Sequence, residues 1–532
     1  MHGRRPTISS TKGVVAAAHP LAAQAGARLL AQGGNAFDAA AATAAALNVV
    51  EPYMSGLAGA GLATCWIAAE KRIRVLDFVP RVPQSFPVER FTKREDLVRG
   101  PLSAGVPGNL AGWAELVRAH GKKPLGDALA PATVLARDGF PLVEFNVDET
   151  NERAPAIQSD PALRGEFTRN YLRGGNKAAA GRVLAQPELA GTFERLAAAG
   201  PELLYGGELG QAIVTHLKSL GGYMAMSDLE QVAPRWKDPI AVMYRGHSVH
   251  VAPPPCEGFQ FLLTLRILDG FDLARLERNG ADHLDLVYRA IRLAAGVRIN
   301  HNNPPPQELA RLLGDEHVEG LRARVRGGKP ISGPTEQWME PAPGEDPGHT
   351  TSFSIADDDG NLICMTQSLG SPFGSGVVVP GTGVCLNNFL YWTEVNPKSP
   401  NRTAPGAELP ICMAPTIATL EGKPVLALGT PGSYGILQTQ SQAYVQYLDF
   451  GLALQDAIEA PRARLLDGQV VQVEGRIAPD VVAALKARGH DAQSFADWTM
   501  KVGGMQAVAV DPATGVMTGA ADPRRDGYAV AV

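Results

Sequence analysis

The feature that most constrains this chain is a change of character at residue 349. Upstream runs "GGKPISGPTEQWMEPAPGEDPG", and the whole stretch 316–348 reads as irregular, exposed chain because its prolines and glycines break both helix and strand. Downstream, "HTTSFSIADDDGNLICMTQSL" alternates as a strand does. Thr350, Ser352 and Ser354 fall on one face, and Thr351, Phe353 and Ile355 fall on the other. Asp357 to Asn361 then reads as the turn of a hairpin into a second apolar strand. Any fold for this chain must place a β-rich unit directly after a loop.

Elsewhere the pattern divides in the same place. Residues 19–51 read as two helices punctuated by "QGGN", with Asn35 as N-cap and Asp38 in the first turn of the second. Further helical patterns run over 108–120, 129–138, 209–219 and 283–296, and "HSVHVAPPP" (247–255) reads as a strand ending in a rigid turn. The first two-thirds is therefore α-rich. Strand signals follow at 351–356, 360–369, 424–429 and 470–474, with a helix at 435–448. "SGLAGAGLATCWIA" (55–68) places glycines before an apolar strand without the G-x-G-x-x-G spacing, which predicts close backbone packing and not a dinucleotide site.

Length and charge narrow the function. At 532 residues the chain fits one large unit or two interleaved halves, and its net charge of −5 offers no field for nucleic acid. No segment reads as a membrane span: "AFDAAAATAAALNVV" is short, alanine-rich and contains Asp38. Five scattered cysteines without a C-x-x-C pair, and an N-terminus without a secretory pattern, predict a cytoplasmic protein with reduced thiols. The expected partner is a small molecule, with no metal or organic cofactor.

The threonines carry the candidate chemistry. A threonine hydroxyl needs a base, and a threonine that begins a chain has one in its own α-amine, whose pKa is near ~8. That arrangement requires cleavage between His349 and Thr350, and the loop upstream would release the new terminus. Three competing motifs are weaker. Ser9–Lys12 matches S-x-x-K without a downstream K-T-G context, Asp357–Asn361 lacks the spacing and terminal glutamate of a calcium loop, and His247-x-x-His250 lacks a third ligand.

"HTTSFSIADDDGN", "TQSLGSPFGSG", "GVCLNNF", "MAPTI" and "LGTPGS", together with "GVVAAAHPLAAQAGARLLAQGGNAFDAAAA", "SAGVPGNLAGW", "PATVLARDGF" and "YRGHSVHVAPPP" upstream, resemble the γ-glutamyltransferase family of N-terminal-nucleophile hydrolases nearly end to end. The resemblance implies an α+β fold, a four-layer αββα sandwich built from two autoproteolytic fragments. These would be a large segment 1–349 and a small segment 350–532, paired as a dimer of heterodimers. It implies that Thr350 is the nucleophile, that Ser368 contacts its amine or hydroxyl, and that the Gly432 and Ser433 amides form an oxyanion hole. The small molecule would be an amide, resolved through an acyl-enzyme by hydrolysis or transfer.

The residues that grip a γ-glutamyl group in typical members are replaced. Val79 stands for an arginine, Phe389 and Trp392 for Gln and Asp, Ile411 and Cys412 for paired serines, and Gly370 for Asn. A pocket formed by Phe389, Trp392 and Cys412 predicts a different acyl group, with Arg81 either holding a carboxylate or lying on the surface. Segment 388–410 is short where many relatives have a lid, which predicts an open pocket. Relatives described as cephalosporin acylases and oxamate amidohydrolase show that the frame serves other amides. The alternatives are a true glutathione hydrolase and a non-catalytic homologue that stays uncleaved.

Overall fold

The strand His349–Asp357 is buried along its whole length, and this decides the architecture around it. In the computed structural model, which describes residues 5–335, 349–399 and 401–532, it is the third strand of a seven-stranded sheet. The order is Tyr528–Ala531, Gly13–Ala17, His349–Asp357, Leu362–Gly370, Ala60–Ile67, Arg72–Asp77 and Arg235–Lys237, antiparallel throughout. A second seven-stranded sheet runs Ile8–Ser10, Met517–Ala521, Gln506–Val510, Lys423–Gly429, Thr416–Leu420, His247–Val251 and Ile240–Tyr244.

Val14, Ala356, Leu362 and Cys364 of the first sheet meet Ile417, Ala427 and Val508 of the second in one apolar layer. On the outer side of the first sheet, Phe353, Ile355, Ile363 and Met365 pack against the helices Pro20–Ala31, Ala36–Val50, Asn109–His120 and Leu125–Asp138. The helices Phe259–Leu268, Ala281–Asn300 and Ile436–Tyr444 cover the outer side of the second. The result is the expected α+β, four-layer αββα sandwich. Both sheets draw strands from before and after residue 349, so the two segments are interleaved parts of one body.

Local expectations hold where the pattern is strong. Asn35 caps the helix Ala36–Val50 in a box with Asp38, whose carboxylate also receives the amides of Lys122 and Lys123. The glycines before the strand Ala60–Ile67 are packed as expected: a Cβ on Gly59 would stand 2.1 Å from the Ser368 carbonyl oxygen. The turn after Asp357 is a hairpin, held by the Asp357 carboxylate, which accepts from the Asn361 amide and from Ala36.

Two expectations change. Residues 316–348 are not irregular from their start, because Asp315–Arg326 is a helix that buries Val318, Leu321 and Val325 on one stripe, with acids in its first turn and Arg324 and Arg326 in its last. The part of that stretch over 336–348 lies outside the described residues. The even-numbered face of the strand His349–Asp357 is polar but dry, because it faces the second sheet. Ser354 Oγ accordingly donates across the gap to the Gln506 carbonyl at 3.0 Å. No helix among the described residues is long and apolar enough to cross a membrane.

Candidate active site

The ladder between the two central strands loses its register between His349 and Thr351, so Thr350 sits where regular pairing is broken. Its side chain is buried. The neighbouring hydroxyls are committed to definite acceptors: Thr351 donates to Glu51 Oε2 at 2.9 Å and Ser352 to the Met365 carbonyl at 3.0 Å.

Ser368 lies on the paired strand. Its hydroxyl donates to the carbonyl oxygen of His349 at 2.7 Å and accepts the Gly370 amide, also at 2.7 Å. The contact expected with the Thr350 amine or hydroxyl is replaced, in the unbroken chain, by one to the carbonyl of the 349–350 peptide bond. A donor aimed at a carbonyl oxygen stabilises the charge that builds there when a nucleophile adds to the carbon.

Gly432 and Ser433 follow the strand Lys423–Gly429 and lead through a short 3-10 turn into the helix Ile436–Tyr444. Gly432 has φ 127° and Ser433 φ 57°, so both occupy the region that side chains avoid. A serine held there stores strain that the surrounding packing must support. Gly503 packs beside Gly432, and Gly504 packs beside Arg525. A Cβ on Gly432 would meet Gly503 at 3.4 Å, and one on Gly504 would meet the Arg525 side chain at 2.6 Å.

Arg525, which sequence reading passed over, connects this loop to Thr350. Its Nη1 donates to the Thr350 carbonyl at 2.8 Å, and the guanidinium is buried with Nε and Nη2 unpartnered among the described residues. Around it lie two more missed residues. Glu51 closes the helix Ala36–Val50, and Glu149 Oε2 stands 2.8 Å from His349 Nε2. Burial pushes the Glu51 carboxyl up to about 7, against the opposing pull of Arg525 and the Thr351 hydrogen bond. Burial also raises Glu149, but His349 and then Arg525 outweigh it and hold that carboxyl below its ordinary value. The signal that could have found Glu51 was an acid at the C-terminal end of a buried, alanine-rich helix, where the dipole favours a cation.

Of the expected substrate residues, Trp392 packs against both the cluster that holds Phe389 and the cluster that holds Cys412. Trp392 lines a cavity of about 280 Å³ together with Tyr434, the residue after Ser433. Phe389 is packed with Val79 and Ile411 in an apolar cluster, and Cys412 is buried beside Tyr434, its thiol pushed up first by burial and then by the Glu257 charge. Arg81 does not join them. Its side chain is 57% exposed and is held by the Gly406 carbonyl and Glu408, so the alternative of a surface arginine stands. From segment 388–410, Trp392, Glu394, Arg402, Thr403 and Glu408 line the cavity. All five cysteines are free, and among the described residues no group of His, Cys, Asp or Glu is arranged to hold a metal.

A family model described as gamma-glutamyltranspeptidase matches residues 22–532. The chain is 33% identical to the Acylase ACY 1 proenzyme of Pseudomonas sp. (strain V22), over 99% of this chain and 95% of that protein. It is 30% identical to the glutathione hydrolase proenzyme of Bacillus subtilis (strain 168), over 98% and 91%. The crystal structure of cephalosporin acylase from Bacillus halodurans superimposes with a TM-score of 0.90 at 31% identity, covering 100% of this chain and 98% of that one.

The buried acid makes a measurable prediction. Native Glu51 keeps its proton to about pH 7, whereas the unfolded side chain releases it near its ordinary 4.5. The native state therefore binds more protons across that interval. This contribution is full below pH 4.5 and is lost as pH rises through 7, by on the order of 3 kcal/mol in all. Urea unfolding of Glu51→Gln is expected to show a flatter stability profile between pH 4.5 and 7 than the parent. Superimposable profiles would contradict the assignment.

Proposed function

Because the chain belongs to the γ-glutamyltranspeptidase family, we propose that Thr350 is the nucleophile of a self-cleaving N-terminal-nucleophile amidohydrolase. The observation that carries this reading is the Ser368 hydroxyl, 2.7 Å from the carbonyl oxygen of the bond to be cut. Thr350 Oγ1 adds to the His349 carbonyl carbon while Ser368 stabilises the oxyanion. The C–N bond breaks, the hydroxyl proton passes to the departing nitrogen, and an ester joins His349 to Thr350 Oγ1. Water hydrolyses that ester, leaving a carboxylate on His349 and a free α-amine on Thr350.

In turnover the α-amine takes the Oγ1 proton as Thr350 attacks a substrate amide. The Gly432 and Ser433 amides receive the oxyanion, each worth about 3–4 kcal/mol in comparable sites. The proton then goes to the leaving amine, and water or a second amine resolves the acyl-enzyme. Arg525 steadies the Thr350 carbonyl throughout, so the hydroxyl stays aligned as the new terminus forms. Proenzyme relatives support the processing step, and five buried free thiols support a reducing, cytoplasmic setting.

The acyl group is not the usual γ-glutamyl group. Val79, Phe389 and Ile411 occupy an apolar cluster where typical members have charged or hydrogen-bonding residues, and Arg81 is engaged elsewhere. An α-ammonium in such a site is desolvated without a partner, at a cost of several kcal/mol.

N-terminal sequencing of the smaller fragment is expected to read Thr-Thr-Ser-Phe-Ser, with Thr350→Ala abolishing both cleavage and turnover. An intact chain that binds amides without cleaving them would establish the non-catalytic alternative. Among anilides sharing one leaving group, the γ-glutamyl compound is expected to have a kcat/KM roughly 100-fold below its simple acyl counterpart. A γ-glutamyl preference would restore the glutathione hydrolase reading.

A further inference from the structure

The turn that carries the Gly432 and Ser433 amides begins where a ladder ends. The last pair between the strands Lys423–Gly429 and Gln506–Val510 is Gly429 with Gln506. Past that pair the two chains are joined by a side chain and not by their backbones. Thr430, which is fully buried, accepts the Gly504 amide on Oγ1 at 3.2 Å and donates from the same oxygen to the Pro431 carbonyl at 3.0 Å. Gly503 lies so close that a Cβ there would stand 2.4 Å from Thr430 Oγ1 and 2.9 Å from the Pro431 carbonyl oxygen. The hydroxyl therefore uses both its donor and an acceptor inside this turn.

The bond to Pro431 matters for what it does to the next amide. A trans peptide is planar, with its C=O and N–H directed opposite ways, and Pro431–Gly432 is trans. Holding the Pro431 carbonyl therefore fixes the direction of the Gly432 N–H. The following peptide is held in the same manner: the Gly432 carbonyl accepts the Gly435 amide at 2.9 Å, which fixes the Ser433 N–H. Neither the Gly432 nor the Ser433 amide donates to another group among the described residues. Two amides aimed through their own carbonyls and left unspent are preorganised for a charge that appears only in the transition state. The bond at the carbonyl also polarises the peptide, which strengthens its N–H as a donor.

Gly432, at φ 127°, cannot orient this peptide by itself, because a glycine without a Cβ passes readily between conformations. The geometry points to Thr430 as a positioning residue for turnover: its hydroxyl holds the Pro431 carbonyl, and so aims the Gly432 amide at the oxyanion. The inference rests on Thr350 as the nucleophile and on Gly432 and Ser433 as the oxyanion donors of turnover. Self-cleavage does not draw on Thr430, because the carbonyl of the bond to be cut is met by Ser368 instead. Thr430 thus serves one of the two reactions of the site and not the other.

Thr430→Val removes the hydroxyl at nearly constant shape, and Thr430→Ser keeps it. With the acyl anilide that the parent cleaves fastest, Thr430→Val is expected to lose about 10- to 100-fold in kcat, with kcat/KM falling in step and KM unmoved, because the weakened interaction is made only in the transition state. Thr430→Ser is expected to stay close to the parent. Self-cleavage of Thr430→Val is expected to run to completion, which also shows that the variant has folded. An unchanged kcat, a rise in KM alone, a loss in Thr430→Ser as large as that in Thr430→Val, or self-cleavage slowed as much as turnover would overturn the assignment. If Thr430→Val does not fold, Thr430→Ala is read against Thr430→Ser in the same assay, with the same outcomes. Turnover that survives Thr350→Ala would sink the reading of Thr350 and this inference with it, whereas Thr350-dependent turnover indifferent to Thr430 would remove this inference alone.

Discussion

A strand with no solvent face cannot leave a hydroxyl unsatisfied, and the central hairpin of this protein carries several. Thr351 reaches Glu51, Ser352 reaches the Met365 carbonyl, Ser354 crosses to the second sheet, and Ser368 reaches the His349 carbonyl. Each of these bonds replaces one to water, and a buried hydroxyl left without a partner costs about 1–3 kcal/mol. The bonds therefore fix the spacing of the sandwich as well as the hairpin. The one segment where the ladder slips, between His349 and Thr351, is the segment that holds Thr350. The fold and the candidate chemistry meet at the same place.

The charge behind this strand gives the site a second support. Arg525 is buried, grips the Thr350 carbonyl, and packs on Gly504, whose neighbour Gly503 lies against Gly432. Burial lowers its pKa, with Glu51 and then Glu149 as the chief opposing influences. A guanidinium in that position couples two loops that are far apart in sequence. Displacement of one is felt by the other, because interiors are packed too tightly to absorb it.

What could be read from the sequence was what repeats locally. Alternation announced the strands on either side of Asp357–Asn361, and the Asn35 and Asp38 pair announced a helix start. The glycines around Gly59 announced a close approach, borne out by the Ser368 carbonyl beside it. Less was legible where pattern is weak. The strands Gln506–Val510, Met517–Ala521 and Tyr528–Ala531 are made largely of small residues and take their identity from their neighbours in the sheets. The helix Phe259–Leu268 is buried on all sides and so shows no polar stripe. Glu51 and Arg525 belong to opposite ends of the chain, and no spacing relates them. Arg81 was legible only as a charge near the right strand, and Glu408 explains why it stays outside.

The central claim is that Thr350 Oγ1 carries the acyl group between the two halves of the reaction. Acid-quenching the enzyme during turnover of a slow acyl anilide, followed by fragmentation mass spectrometry of the smaller subunit, addresses it directly. The account predicts that the fragment gains the mass of the acyl group and that the added mass maps to its first residue, Thr350. An adduct on Ser368, Ser433 or Cys412, or turnover from a chain still joined at 349–350, would contradict it.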